Sequence, residues 1–422
     1  MELIIEHLVA FFQSDLGVRS LLIALLVGIM CGLLGCFIVL RNMAMIGDAL
    51  SHAILPGIVV AFMLVGYSSL AFFIGSVAAG LLSAFLITWL QQKMQVKNDA
   101  AIGIIFTFMF SLGIIGISWL SGKEGVHLDL KDFLFGNLLS VSTEDLILTI
   151  FLFIVVCTTL FLYYRGLFVT TFQPVLSGTL GINSRFIHYL LMLLLSLVVV
   201  ASLRSVGVIL VVAMLITPAS AALLLANRLP LVLAWSALLG SFSAVCGLVL
   251  SIAADFPVGP SMAVMTTLFY ALIAMFAPKK GFLPKFRARR TLKKRIVIED
   301  ILKRIYQSGN APIDPSTLSQ STGYTVKVIQ EWCNRLVKSK LLNKQDRYFT
   351  LAEEGKVRAQ QLLRAHRLWE TFLVEELGLD ADQIHEDAER VEHYLSEADL
   401  ALLDEQLGYP ETDPHGSPIP KG

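Results

Sequence analysis

What this chain has least of is charge. Asp, Glu, Lys and Arg make up only 16% of its 422 residues, against 55% hydrophobic residues and a mean hydropathy of +0.71. Soluble domains carry about a quarter charged residues, so an ordinary soluble protein is excluded. Cysteine is also scarce, with five residues in an odd, scattered set. Cys31, Cys36, Cys157 and Cys246 lie in apolar runs and Cys333 lies beyond them. No pair has metal-knuckle spacing and no disulfide framework is implied, so all five read as small core residues. A Walker A pattern and a dinucleotide glycine fingerprint are both absent. The chain therefore has no nucleotide site of its own by these motifs, and no bound nucleotide is expected. The first sixteen residues carry acids and a short apolar patch instead of the basic-then-apolar order of a cleaved signal, so none is expected.

What is there is hydrophobic length. Nine apolar runs long enough to span a bilayer fall near residues 18–40, 43–65, 70–90, 101–120, 146–164, 186–203, 206–226, 231–253 and 261–277. Only Arg204 and Ser205 separate the sixth from the seventh, so eight or nine spans are expected, with one of that pair open to a re-entrant reading. Beyond about residue 278 charge becomes dense and apolar runs short, which marks a soluble tail. The basic segment 279–295, with Lys285, Arg287, Arg289, Arg290, Lys293, Lys294 and Arg295, follows the last run and places the tail in the cytoplasm. Counted back through nine spans, cytoplasmic loops hold Arg41, Lys93, Lys97, Arg165, Arg185 and Arg228, and outer ones Arg19, Lys123, Lys131 and Arg204. The fold class expected is an all-α polytopic membrane domain over 1–278 and a basic linker over 279–295. A winged helix-turn-helix over 296–352 and a helical domain over 353–422 complete it.

Within the apolar region, the stretch 41–62 carries Asp48 and His52 four residues apart. On a helix that spacing puts both on one face, within reach of one ion, and carboxylate plus imidazole suits manganese, ferrous iron or zinc. The competing reading is an ion pair between the two, or with Arg41. Pro56, four residues after His52, denies the His52 carbonyl its helical donor and predicts a bend. Such irregular backbone is tolerated at membrane depth where it lines a cavity or is buried in protein. Gly28 and Gly32 are spaced for close helix packing. The segment 173–183, with Gln173, Pro174, Gly178 and Gly181, is either a docking loop or a plain connector. His127, Asp129 and Asp132 read as a solvated loop.

In the tail, amphipathic segments over 296–308, 314–323 and 324–340, then a strand near 348–352, give the order helix, turn, helix, wing. Lys327, Gln330, Asn334, Arg335 and Lys338 fall on the exposed face of the third segment and are chemically able to read bases and phosphates, although Glu331 repels phosphate. Winged helices also dock proteins, so both readings stand. Further on, His366 and Glu370 are four apart, and His385, Glu389, Glu392 and His393 fall at helical offsets of four, seven and eight. Each set shares one helix face, a pattern that points to metal binding.

Residues 41–62, with their Gly-Asp-Ala-Leu-Ser-His core, resemble the second-helix motif of the metal-specific ABC permeases, importers of manganese, zinc or iron. Phe133-Leu-Phe-Gly-Asn137, the stretch 207–219 and Phe256-Pro-Val-Gly-Pro260 are similar to that family in the same order. The resemblance implies a dimeric permease, an extracellular metal-binding receptor and paired cytoplasmic ATPases docking on the 173–183 segment. It also implies that Asp48 and His52 contact the metal in transit.

The tail, including its ending Asp413-Pro-His-Gly-Ser-Pro-Ile-Pro420, resembles the diphtheria-toxin-repressor family of iron- and manganese-dependent regulators. That likeness implies a main effector site of Glu389, Glu392 and His393 with Asp300, and an ancillary site of His366, Glu370 and His385. Glu389 stands where iron-type members have Cys, which favours manganese. Lys303 stands where manganese-type members offer a carboxylate. Metal is thus expected both as cargo and as effector. The tail either represses metal-uptake genes through operator DNA, at the membrane or after proteolytic release through the basic segment 279–295, or stays attached and inhibits transport; the alternative to an ATP-driven importer is a carrier or channel that needs no ATPase.

Overall fold

The computed structural model describes residues 2–66, 68–121, 138, 141–278, 280–380, 384, 388–389 and 391–420. His127, Asp129, Asp132, the 133–137 stretch and His385 lie outside them. The chain forms two compact units, Met1–Lys285 and Phe286–Gly422.

The first unit is helical. In chain order it has α1 (Glu2–Gln13), α2 (Asp15–Leu40), α3 (Ile46–Ala53), α4 (Leu55–Val65), α5 (Ser69–Met94) and α6 (Asn98–Ser121). After these come α7 (Thr143–Leu162), α8 (Tyr164–Phe172), α9 (Pro174–Thr179), α10 (Ser184–Val206), α11 (Val208–Leu225), α12 (Leu229–Ala254) and α13 (Val258–Phe276). Among the described residues, eight helical segments are long and apolar enough to cross a membrane, with α3 and α4 counted as one. The seventh apolar run is the shorter α11. Gly207, at φ +81, separates it from α10 in a conformation that costs glycine little, and Pro218 inside it removes a ladder hydrogen bond.

Hydrophobic on all sides, α2 is buried as such a helix must be. It lies so close to α12 that a Cβ on Gly28 would sit 2.7 Å from the Gly240 carbonyl oxygen, and one on Gly240 would sit 2.3 Å from that of Gly28. One turn along, the Ser236 hydroxyl donates to the Gly32 carbonyl at 2.7 Å. This is small-residue packing of the kind membrane helices use in place of a hydrophobic drive. Gly57 on α4 and Gly75 on α5 meet in the same way.

The second unit begins within α14 (Phe282–Gln307), followed by α15 (Pro315–Thr322), α16 (Val326–Lys338) and a hairpin of β1 (Leu342–Gln345) and β2 (Tyr348–Leu351). Asp346, at φ +51, makes the hairpin turn. Ile301, Leu302, Ile305, Leu318, Ile329, Cys333, Leu336 and Phe349 form the core of this helix, turn, helix and wing. The basic segment is helical from Phe282, because Lys and Arg favour helix and Pro284 falls in the first turn, where no bond is lost. The long α17 (Glu353–Glu375) and the capped α18 (Glu397–Gln406) complete the unit.

Candidate metal sites

In the membrane unit, Asp48 and His52 both lie on α3, and the chain breaks directly after them. Gly57 and Ile58 donate to the Ile54 carbonyl, which starts α4 afresh, and the His52 carbonyl accepts from Ile54 instead of from a residue four further on. His52 Nε2 stands 3.7 Å from Asp48 Oδ1, with the side chains 20% and 36% exposed. That is a loose pair, beyond hydrogen-bond length. The imidazole packs edge-on against Phe106 and Phe110 of α6, at ring separations of 5.5 and 5.2 Å. Arg41, the other partner considered for Asp48, donates to Thr171 Oγ1 at 3.1 Å and to Thr170 Oγ1 at 2.7 Å on α8. One chain thus offers an ion two donors here, half open.

The 173–183 segment folds as the six-residue α9 with turns around it. Gln173, Pro174, Gly178 and Gly181 are exposed, as are Val175, Leu176 and Leu180 beside them, while Ser177 is buried and shares a 2.5 Å hydrogen bond with Ser184.

In the tail unit, the ligand-type side chains converge. His393 Nε2 lies 3.4 Å from Asp300 Oδ1 and 3.8 Å from Glu392 Oε1. These three are the one group of three or more ligand-type residues, among the described ones, whose donor atoms gather within 4.8 Å. They line a cavity of about 570 Å³ with Glu389, which is exposed and stands outside the triad, and with Lys303. His366 and Glu370, buried one turn apart on α17, meet at 3.2 Å through His366 Nε2. The two sets expected from sequence are joined, because Glu392 Oε2 also lies 2.6 Å from His366 Nδ1. Between them sits Lys303, whose Nζ donates to both Glu392 oxygens at 2.7 and 2.9 Å and lies 3.3 Å from His366 Nδ1.

Two participants carried no usable sequence signal. Glu299 is buried and takes His393 Nδ1 at 2.8 Å, Arg295 Nε at 2.7 Å and Arg358 Nη2 at 3.2 Å. It fixes the imidazole so that Nε2 faces Asp300 and Glu392, the arrangement that outer carboxylates give metal-binding histidines. Its Arg295 spacing alone resembles an ordinary surface pair. Tyr324 donates to Asp300 Oδ2 at 2.8 Å and anchors that carboxylate.

The electrostatics follow from this crowding. Burial acts to lower the His393 pKa, but hydrogen bonds to Asp300 and Glu299 outweigh it and hold it up at about 9. Burial opposes protonation of His366 too, and Glu370 and Glu392 reverse it, so its pKa is raised. For Glu299, burial acts upward, yet His393 and Arg295 bring the net shift down. Asp300, Glu392 and His393 therefore form a donor set of carboxylates and imidazole that fits manganese or ferrous iron, with the second imidazole nitrogen already engaged.

On α16, Lys327, Gln330, Arg335 and Lys338 are exposed and Asn334 is half-buried. Arg335 pairs with Glu331 at 2.6 Å and lies 4.8 Å over the Trp332 ring, while Lys344 of the wing reaches Asn334 at 3.3 Å.

Known proteins resemble both parts of this chain. A family model described as "ABC 3 transport family" matches residues 13–277, and one described as "Iron dependent repressor, metal binding and dimerisation domain" matches 352–421. The "Manganese transport system membrane protein MntC" of Halalkalibacterium halodurans is 47% identical over 285 residues, 67% of this chain and 95% of that protein. The "Manganese import system permease protein ScaB" of Streptococcus parasanguinis is 40% identical over 262 residues, 62% of this chain and 91% of that protein. A solved structure, "PsaBC from Streptococcus pneumoniae in complex with Fab", aligns with a TM-score of 0.59 at 37% identity, covering 66% of this chain and 98% of that one. With its apolar helices and the match over residues 13–277, the chain belongs to the ABC 3 transport family, as a multi-pass membrane permease that carries a C-terminal domain of the iron-dependent repressor type.

Proposed function

We propose that the chain is the permease subunit of an ATP-driven manganese importer whose tail is a metal-responsive regulatory domain. The reading is carried by the presence, in one chain, of a metal-permease body and a buried carboxylate–imidazole cluster. Manganese is the metal named for relatives at 47% and 40% identity, and hard oxygen donors with imidazole suit it. Asp48 and His52 supply only two donors, whereas ions of this class take four to six. A second permease chain, related by a twofold axis, doubles the set to four. Two donors per chain, half exposed, hold the cargo weakly enough to let it go. An extracellular receptor delivers the ion, and separate cytoplasmic ATPases, docking on the exposed apolar face around Val175, Leu176 and Leu180, drive the cycle.

The tail lies in the cytoplasm, on the side marked by the basic residues of 280–295. Asp300, Glu392 and His393 would hold a regulatory ion, which would draw α14 and the 388–393 segment together. That the basic segment is helical from Phe282, where nicking favours loops, supports an attached sensor over a released one. The exposed Lys327, Gln330 and Lys338 favour a second reading, metal-dependent binding of operator DNA.

The test is reconstitution with the ATPase subunits. Manganese uptake should stop when the ATPase Walker lysine is replaced; persisting uptake sinks the importer reading. High manganese should slow ATP hydrolysis by the full chain but not by one lacking residues 292–422. Equal slowing in both removes the attached-sensor reading. DNA binding that needs metal and weakens with salt would then put the operator reading in its place.

A further inference from the structure

Lys303 is buried at 7% exposure, an expensive position for an ammonium unless it is paired and hydrogen-bonded. Its surroundings are unusual for a lysine. Both Glu392 oxygens lie at 2.7 and 2.9 Å, His366 Nδ1 lies at 3.3 Å, and Glu370 closes the far side of His366 at 3.2 Å. On the ammonium's side, both Glu392 oxygens and His366 Nδ1 are donors that a divalent cation would also take, while Glu370 holds the ring from its other nitrogen. Next to them stands the Asp300, Glu392 and His393 triad, which shares Glu392. Two cation positions therefore flank one carboxylate, and the chain fills one of them with its own ammonium.

We infer that Lys303 is a built-in cation in the place of a second metal ion, so that the tail binds one divalent ion, at Asp300, Glu392 and His393, and is closed to another between Glu392 and His366. This rests on the reading of the tail as a metal sensor. An ammonium has no coordination geometry to satisfy and cannot leave, so it holds Glu392 aimed at the triad whether or not metal is present. It also sets a like charge beside the single ion, which weakens binding and matches a sensor that must read changing concentrations.

The experiment counts manganese on the full chain in lipid nanodiscs by equilibrium dialysis and electron paramagnetic resonance. Ions held by Asp48 and His52 are common to every variant, so differences between variants report the tail. Lys303→Ala and Lys303→Glu should each bind one more ion per chain than the wild type, with a spectrum broadened by coupling between neighbouring ions. Lys303→Arg, which keeps a cation, should bind no more than the wild type. Adding His366→Ala to Lys303→Ala should remove the extra ion. Lys303→Met, which keeps the stem volume, serves if the alanine variant loses the tail's circular-dichroism signature. An unchanged ion count in folded Lys303→Ala, Lys303→Met and Lys303→Glu overturns the inference. So does the loss of one ion from the wild type on His366→Ala alone, an arm that needs no Lys303 variant. His393→Ala separates the two levels. If it removes no ion from the wild type, the sensor reading fails and takes the inference with it. If it removes one while the Lys303 variants gain none, the inference alone fails.

Discussion

Two places in this chain use the same ligand types, a carboxylate and an imidazole, and embed them in opposite ways. On α3, Asp48 and His52 stand 3.7 Å apart, partly open, with aromatic edges on one side. In the tail, His366 and His393 are each bound on both ring nitrogens by carboxylates, and Lys303, Arg295 and Arg358 complete the net. The first arrangement is held by the helix and those rings alone, and in the proposed transport role an ion would enter and leave it by small side-chain rotations. The second is over-determined, since any one group is held by several others, as in buried polar networks generally. The difference teaches that ligand identity says which metals are compatible, while embedding, on the proposed reading, sets apart an ion passed on from one retained.

The comparison breaks most visibly at α3. Asp48→Ala or His52→Ala should lower manganese uptake by proteoliposomes more than about a hundredfold, beyond the 10–100-fold typical of outer-shell partners, with assembly unchanged. Normal uptake in both would return the pair to a structural role. In the tail, Lys303→Ala in chelator leaves Glu392 buried without its cation. It should cost about 3–5 kcal/mol in the urea unfolding of that unit, and manganese should restore most of the loss. A variant as stable as the wild type in chelator would show the net to be far looser than its distances suggest.

Glu299 sharpens the contrast, because α3 has no counterpart to it. Glu299→Ala should weaken manganese binding by about 10–100-fold in chelator competition, with Glu299→Gln falling between. Equal affinities would mean that His393 needs no orientation. The smallest effect is that of pH on the metal-free tail. The His393 pKa is raised from an ordinary 6.5 to about 9, and that of His366 is raised as well. Their contribution to stability is then full below about pH 6.5 and lost as pH rises through about 9. Hydrogen exchange of Glu353–Glu375, corrected for its intrinsic pH dependence, should show protection falling over that range; rising protection would reverse the assignment.

Much of this was legible in the chain itself, for local reasons. Apolar run length marks the spans, Pro56 marks the break after His52, and the four-residue spacings of Asp48 with His52 and of His366 with Glu370 survive as contacts because a helix preserves them. The seventh run is the 18-residue α11, which Gly207 separates from α10. Glu392 bridging both ligand sets was not legible. Lys303 and Glu392 are 89 residues apart, and Glu299 and His393 are 94 apart, distances at which spacing carries no information. Resemblance set Lys303 in a ligand position, but only the three-dimensional arrangement shows its ammonium lodged between Glu392 and His366.

The mutual approach of Gly28 and Gly240 has a mechanical corollary. Where each glycine's missing side chain would strike the other's carbonyl, with the Ser236 hydrogen bond one turn away, neither helix can slide or roll without first lifting off its neighbour. The proposed transport cycle, if it alternates access between the two sides, then has to carry α2 and α12 as a single rigid strut and place its hinges elsewhere. Spin labels on these two helices should keep one separation in inward- and outward-facing states, while pairs bridging to α5 or α6 change theirs.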